Sequence, residues 1–547
     1  MPTLIYNKSN PYGISRDVEG IVASLSGHAV KHADPLEPPH QTDIAIHLEV
    51  PSYCWMAWAA VNILVVNPEW FQEAWRPYLS KFDAVIYKDR TSAEEAVKAG
   101  YVQPSQVRVV PWGASPPSAV QTKQGTADNG FIWFLGNSKN KRAYVPTLLS
   151  LWRESYPPLR IYTVEPLDVS GTANVRVEVK DLDATIRSGL ASFFRGHVCC
   201  SAAEGFGYTA AEAEWTGAFT LLNRLNCYTS DYSGPFVEDQ ASLDAAIREF
   251  EQTDFAAFSA RQKERAAERW EAFQRNFREV VEAVKPETKP PALPPILHRD
   301  DCPPISIVTL MYNRRRFFDL ACHNILASDY PKAKIEWVIV EDSDDPMEDA
   351  SDLITAVSNQ SDAIKIVYVP LKKKTSVGSK RNIGVRTATA DIVLMMDDDD
   401  HYPETSFRRR VAWLTKHRWG PKAVAATTIA CYDLVKGISA VNVPPTDLPL
   451  SQRISEATLT FYKSWWVERG FPSAVQIGEG EEFLAGREGD LLEIPPQQCI
   501  VAFSHGKNAS SRRIPSDAEV KPGCFWGFPK EFLVFVHGLA GVKVVAE

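Results

Sequence analysis

The apolar positions of this chain fall in short β-branched runs separated by longer amphipathic stretches. Runs at 4–6, 43–46, 63–66, 84–87 and 107–110 alternate with helix-like segments, and a second series passes through 130–136, 160–164, 175–179, 196–200 and 218–223. Apolar strands alternating with helices are the pattern of βα units on a parallel sheet covered on both faces. Each series is therefore expected to form a doubly wound, Rossmann-type lobe. Between 254 and 284, Phe258, Ala266, Trp270, Phe273, Phe277 and Val281 recur at helical spacing among charges, which predicts one long amphipathic helix. Residues 285–304 are so rich in proline that neither a helix nor a central strand can persist there. Beyond them, runs at 305–310, 336–340, 364–369 and 391–396 alternate again with helical stretches, giving a third α/β unit. The expected layout is a first lobe over 1–125, a second lobe with its closing helix over 126–284, a proline-rich linker over 285–304, and a further domain over 305–547.

A length of 547 residues exceeds what one ordinary core can organise and supports this division. The chain is 45% hydrophobic and 23% charged, as soluble globular proteins are. With 59 basic against 68 acidic residues the formal charge is −9, so no broad electrostatic grip on nucleic acid is expected. Nine cysteines, with Cys199 and Cys200 adjacent and no CxxC pair, argue against a zinc ribbon or a disulfide framework and suit a reducing interior. Residues 1–10 lack the basic and apolar regions of a secretory signal. The apolar stretch 53–66 contains Asn62 and is shorter than the ~20 residues of a spanning helix; it reads as a buried helix running into a core strand. A cytoplasmic location is expected, and the aromatic-rich stretch 55–75 leaves peripheral contact with a membrane open.

Chemistry concentrates after the linker. The run 391–396 leads directly into Asp397, Asp398, Asp399, Asp400 and His401, so four carboxylates gather at the carboxyl end of a buried strand, where α/β proteins place ligands. Such crowding suits a magnesium or manganese ion shared with substrate phosphates; a solvated acidic turn is the plain alternative. Its company changes the picture. Residues 305–314 form a strand ending in Tyr312, Asn313 and Arg314. Residues 338–345 form another ending in Glu341, Asp342, Asp344 and Asp345, and Val377-Gly378-Ser379-Lys380-Arg381-Asn382 opens a helix. Gly470-Phe471 and Gly480-Glu481-Glu482-Phe483-Leu484 follow.

In order and spacing these segments, over about two hundred residues, resemble the family-2 glycosyltransferases, which have the GT-A fold with a mostly parallel central sheet. The resemblance implies a nucleotide-sugar-dependent hexosyltransferase with a divalent cation, Mn2+ or Mg2+, and a UDP-sugar donor. Asp342 would contact the uracil, and Arg381 and Asn382 would line the nucleotide pocket. Asp397 and Asp399 would be the outer acids of a DxD motif, Asp397 also facing the donor and Asp399 ligating the metal. Glu481 or Glu482 would be the general base on the acceptor hydroxyl, with inversion at the anomeric carbon. His505, in Ser504-His505-Gly506-Lys507-Asn508, would be a further metal or phosphate contact.

The first half carries Glu204-Gly205-Phe206-Gly207-Tyr208-Thr209-Ala210-Ala211-Glu212, two acids seven residues apart around glycines at a strand-to-helix junction. Glycine admits close backbone approach, and the helix start favours phosphate. This segment, with Gly217 after it and Gly136 at the end of 130–136, resembles the E-x7-E region of family-4 glycosyltransferases of the GT-B fold. By that resemblance Glu204 lies near the donor sugar and Glu212 near the ribose. Gly136 opens the lobe, and Lys141 or Arg142 meets phosphate. Asn137 stands where the family commonly has arginine, the loop 10–16 is its loose counterpart of a glycine-rich acceptor loop, and His47 is a candidate active-site histidine. The implied protein is a bifunctional enzyme of glycan synthesis acting on a glycan, glycolipid or glycoprotein. A metal-independent, retaining GT-B half would work beside an inverting GT-A half. The alternatives are a GT-A enzyme with a GT-B scaffold and a non-catalytic carbohydrate-binding assembly protein.

Overall fold

The computed structural model describes residues 2–6, 13–33, 40–117, 128–169, 174–232, 234–284, 293–360, 363–496, 498–505, 508 and 526–543. The linker segment 285–292, residues 10–12 of the first loop, and Gly506 and Lys507 lie outside them. The chain divides into two compact units. One comprises 1–37, 42–52 and 59–289; the other comprises 38–41, 53–58 and 290–547.

The first unit holds two sheets. Strands β1 (Pro2–Tyr6), β2 (Ala29–Ala33), β3 (Thr42–Leu48), β4 (Ala59–Val65), β5 (Ala84–Tyr87) and β6 (Val107–Val109) form a six-stranded sheet in the order β2-β1-β3-β4-β5-β6, parallel throughout. Strands β7 (Asp128–Gly136), β8 (Leu159–Thr163), β9 (Val175–Val179), β10 (Phe194–Val198) and β11 (Phe219–Leu221) form a parallel five-stranded sheet in the order β11-β10-β7-β8-β9. The anticipated strands are present within a residue or two, except that β4 begins at Ala59, four residues before the expected run at 63–66. The edge strand β2 was not anticipated, because its mostly exposed sequence AVKHA carries no apolar run. The predicted long helix is Phe255–Val284. Its buried stripe of Phe273, Phe277 and Val281 packs with Ile14, Ile21 and Trp112 of the first lobe, the Trp112 and Phe273 rings lying 4.5 Å apart. The same cluster includes Ala210, Ala211 and Ala213 of the helix Tyr208–Thr216, so the apolar seam that closes the unit also seats the E-x7-E segment.

In the second unit, β12 (Ile305–Met311), β13 (Ile335–Glu341), β14 (Lys365–Pro370), β15 (Ile392–Met395), β16 (Ala423–Ala425), β19 (Thr460–Tyr462) and β20 (Leu491–Glu493) form one sheet in the order β14-β13-β12-β15-β19-β16-β20. The first four are mutually parallel, and β19 runs antiparallel to both neighbours. Strands β17 (Ile429–Asp433), β18 (Ile438–Asn442) and β21 (Val501–Ser504) make a smaller sheet in the order β18-β17-β21. The α/β class expected from the sequence is therefore borne out. The stretch 53–66 resolves into a short helix, Tyr53–Met56, and the buried strand β4. Ala57 and Trp58 join the second unit's core, where the rings of Trp58 and Trp413 lie 6.0 Å apart. No described helix is long and apolar enough to cross a membrane.

Candidate functional site

Because β13, β12 and β15 are adjacent and parallel, their carboxyl ends bring three loops together: Asp342–Asp345, Tyr312–Arg314 and the run Asp397–Asp400. β15 is buried along its length, and the acids that follow stay buried apart from the half-buried Asp397. Asp397, Asp399 and Asp400 each place a carboxylate oxygen within 4.8 Å of the others. Arg314 Nη1 donates to Asp398 Oδ1 at 3.0 Å and also to Asp399. Asp399 Oδ2 further meets His505 Nε2 at 3.0 Å and the Asn508 amide at 3.3 Å. Asp400 is tied by the backbone N–H of Phe503 at 3.0 Å, and the backbone N–H of Asp397 donates to the Tyr402 hydroxyl at 2.8 Å.

Burial pushes the Asp398 carboxyl up to about 7; Arg314 opposes the rise, and Asp399 and Asp397 add to it. Its Oδ2 is buried with no hydrogen-bond partner among the described residues. Burial works against the charge on Arg314, but Asp398 and Asp399 outweigh it and hold the guanidinium protonated. Among the described residues, Arg314 is the arginine that hydrogen-bonds the run, at Asp398 and Asp399, in a buried setting. An all-oxygen cluster of this kind fits a hard divalent cation, with Asp397, Asp399 and Asp400 as the residues able to hold it.

At the β13 end, the buried Asp342 accepts from Lys380 Nζ at 2.5 Å and from the Thr375 backbone N–H at 2.7 Å. The Tyr312 ring lies beside this pair, with Lys374 Nζ at 4.0 Å and Lys380 Nζ at 5.7 Å from its centroid. A phenol ring flanked by a carboxylate and ammonium groups offers both a stacking face and hydrogen-bond partners to a planar heterocycle. Arg381 and Asn382 open from the same helix but turn elsewhere. Arg381 Nε donates to the buried Glu479 at 2.7 Å, and Asn382 bonds both the carbonyl and the N–H of Phe471, at 2.7 and 2.8 Å. Gly378 lets that helix approach the 472–475 segment, since a Cβ there would lie 1.9 Å from the Pro472 carbonyl oxygen.

The helix Glu479–Leu484 begins after Gly478, whose φ of 79° lies in the left-handed region. Glu479 faces inward to Arg381, whereas Glu481 and Glu482 are exposed, Glu481 accepting from Gln452 Nε2 at 2.6 Å. Sequence reading singled out the two exposed glutamates and missed Glu479, Glu456 and Arg314. Burial pushes the Glu456 carboxyl up, reinforced by Glu479 and offset by Arg381.

In the first unit, the turn Glu204–Gly207 faces the first lobe. Gly207 has φ 81°, and a Cβ on it would lie 2.3 Å from the Tyr228 ring. Tyr208, itself partly buried, donates to Asp17 at 2.7 Å, and Lys88 Nζ bonds both Asp17 oxygens at 3.1 and 2.9 Å, with Asp17 and Lys88 buried. Glu212 accepts from Arg187 at 2.8 Å and pairs with Arg16. Burial acts to raise its pKa, but Arg187 and Arg16 together hold it below the usual carboxylate value. Lys141 Nζ lies 3.7 Å from Glu204, Arg142 pairs with Glu165, and Gly136 takes φ 51° at the end of β7.

His47 is fully buried, with Nδ1 accepting from Ser52 N–H and Nε2 facing Asn62 Oδ1, both at 3.0 Å. Burial lowers its pKa to about 4, and likewise that of His197. Against an unfolded value near 6.5, the folded state binds fewer protons between pH 6.5 and 4, so stability is full above that window and falls as pH drops through it. Each histidine is expected to cost about 2–3 kcal/mol by pH 4. Denaturation midpoints measured at pH 7 and pH 4.5 check this, and His47→Gln should flatten the profile.

Comparison with known proteins bears on the second unit. The family-2 glycosyl transferase model matches residues 306–435. That span contains the β12, β13 and β15 ends and the acid run, so the second unit carries a family-2 glycosyl transferase domain. A comparison with curated proteins returned no match. Among solved structures, a mannosyltransferase from Pyrobaculum calidifontis in complex with GDP-Man and Mn2+ is 16% identical, over 37% of this chain and 56% of its own, with a TM-score of 0.29. The pneumococcal O-GlcNAc transferase GtfA with UDP and GlcNAc is 14% identical, over 45% and 57%, with a TM-score of 0.36. An Escherichia coli structure titled trehalose-6-phosphate bound with UDP-2-fluoro glucose is 9% identical, over 52% and 98%, with a TM-score of 0.41. The chain thus spans a little over half the length of the first two.

Proposed function

We propose that the second unit transfers a glycosyl group from a nucleoside-diphosphate sugar, a UDP-sugar, to an acceptor hydroxyl on a glycan, glycolipid or glycoprotein. The observation that carries this reading is the convergence of Asp397, Asp399 and Asp400 within 4.8 Å at the end of a buried parallel strand, two strands away from the Asp342–Lys380 pair. A divalent cation held there when bound supplies charge neutralisation for the leaving diphosphate. His505 and Arg314, both on Asp399, fix that carboxylate in place. Asp342, held by Lys380 beside the Tyr312 ring, is the carboxylate that this reading assigns to the uracil N–H.

Glu481 and Glu482 face solvent at the start of their helix, where an incoming acceptor can reach them, and one of them serves as general base. Glu479 acts as the brace of Arg381. Replacing the base by glutamine is expected to lower turnover about 100-fold or more, with little change in donor KM, while the other exposed glutamate tolerates the change. Kinetics of Glu481→Gln and Glu482→Gln side by side check this; equal, mild effects would remove the base from this helix. Inversion at the anomeric carbon follows from direct attack opposite the leaving group.

The first unit, by the same proposal, is a second sugar-nucleotide module of the GT-B kind, acting without metal and with retention, and the linker joins the two activities in one chain. Donor turnover tests the whole reading. The full chain is given UDP-, GDP- and TDP-sugars with and without Mn2+, and Asp399→Ala is compared with Glu204→Ala. Metal-independent turnover lost with Glu204→Ala supports two enzymes. Turnover lost only with Asp399→Ala leaves the first unit a scaffold, and none with any donor points to a carbohydrate-binding assembly protein.

A further inference from the structure

Two arginines converge on one carboxylate in the first unit, and they come from different lobes. Arg16 stands on the helix Gly13–Ser24, Arg187 on the helix Ala184–Phe193, and both pair with Glu212. Each guanidinium also lies against an aromatic face, Arg16 at 5.3 Å from the Tyr208 centroid and Arg187 at 5.1 Å from that of Phe134. Two positive charges on one negative leave a surplus of one, and the groups are neither fully buried nor fully exposed: side-chain exposures are 37% for Arg16, 30% for Arg187 and 20% for Glu212. A third cation, Lys141, reaches Glu204 only at 3.7 Å, beyond hydrogen-bond length. Arg16 and Arg187 thus meet Glu212 on the helix Tyr208–Thr216, and Lys141 meets Glu204 in the turn that leads into it. The Tyr208–Asp17–Lys88 cluster alongside is different in kind: its ion pair is buried and charge-balanced, and through Tyr208 it joins the lobes.

We propose that Arg16 and Arg187 form the diphosphate grip of the first unit, binding Glu212 in the free protein and exchanging it for phosphate oxygens when a nucleoside diphosphate enters. The planar fork of arginine matches carboxylate and phosphate alike, so one anion replaces the other without loss of geometry. Glu212, released, accepts hydrogen bonds from ligand hydroxyls. The Asp17 cluster keeps the lobes joined during the exchange. This inference rests on the reading of the first unit as a sugar-nucleotide module.

The test uses the full chain carrying Asp397→Asn and Asp399→Asn, in EDTA, so that binding by the second unit is suppressed. UDP, GDP and inorganic pyrophosphate are titrated calorimetrically into this protein and into versions that add Arg16→Gln, Arg187→Gln, Arg16→Lys or Glu212→Gln. Each arginine-to-glutamine change is expected to weaken diphosphate binding about tenfold or more, and Arg16→Lys less than Arg16→Gln. Glu212→Gln, which removes the internal competitor, is expected to tighten pyrophosphate several-fold. Unchanged affinity in Arg16→Gln, with an unchanged melting midpoint, overturns the grip while leaving the module reading in place. So does a Glu212→Gln protein that binds pyrophosphate no better. If the parent double variant binds none of the three, the sugar-nucleotide reading of the first unit falls, and the grip with it.

Discussion

Replacing Asp399 by asparagine is expected to lower sugar transfer by the second unit about a thousandfold, with far-UV circular dichroism unchanged. Asp399 is the point where the site's contacts meet: Arg314, His505 and Asn508 all bond it, and its carboxylate lies within the 4.8 Å cluster. Asparagine keeps the shape and most of the hydrogen bonds but removes one charge from an oxygen cluster suited to a divalent cation. A bound cation contributes several kcal/mol of charge stabilisation on the leaving diphosphate, and each ~1.4 kcal/mol lost is a factor of ten in rate. Asp398→Asn makes the control. Its Oδ2 has no hydrogen-bond partner among the described residues and burial pushes its carboxyl up to about 7, so that substitution should cost far less. Initial rates at saturating donor, with Mn2+ titrated for each variant, decide between them. Equal losses for the two variants would mean that the run acts as a diffuse charge and not through particular oxygens.

Lys380→Met carries the second large effect. The Asp342–Lys380 pair is buried on both sides, with side-chain exposures of 1% and 6%, so removing the ammonium strands a carboxylate whose remaining hydrogen bond is the Thr375 N–H. Breaking a buried pair from one side costs about 3–5 kcal/mol, and the urea midpoint should fall accordingly. Asp342→Asn combined with Lys380→Met removes both charges and is expected to recover much of that stability, because a neutral pair of similar volume avoids the desolvation penalty. Donor affinity should not recover, since the carboxylate that the proposal assigns to the uracil is gone. A double variant that regained both stability and donor KM would make the pair purely structural.

Much of this architecture was legible in the chain because buried parallel strands write continuous apolar runs. Ile392–Met395 and Ile335–Glu341 are unmistakable, and the acids that follow them mark the strand ends. The short antiparallel additions were not legible. Strands such as Ala423–Ala425 and Thr460–Tyr462 are three residues long and carry no period of their own; they exist because a neighbour's backbone needs pairing. Nor was the exchange by which 38–41 and 53–58 belong with the second unit, since Trp55 and Trp58 read as core residues without saying whose core.

Following strand ends picks out the acid run and Asp342 as candidates, and the structure brings Asp397, Asp399 and His505 together. Side-chain direction could not be read. Arg381 and Asn382 sit where the motif predicts but spend their hydrogen bonds on Glu479 and Phe471, and of three nearby glutamates only the unremarked Glu479 turns inward. The Arg16–Glu212 pair spans almost two hundred positions, and no local pattern announces it.

Calorimetric titration of UDP into the full chain, with and without Mn2+, tests the central claim most directly when the first unit is silenced by Arg16→Gln and Glu204→Ala. The account predicts tight binding that requires Mn2+ and disappears in Asp399→Asn. UDP binding of equal strength with EDTA and with Mn2+, unaffected by Asp399→Asn, would contradict it.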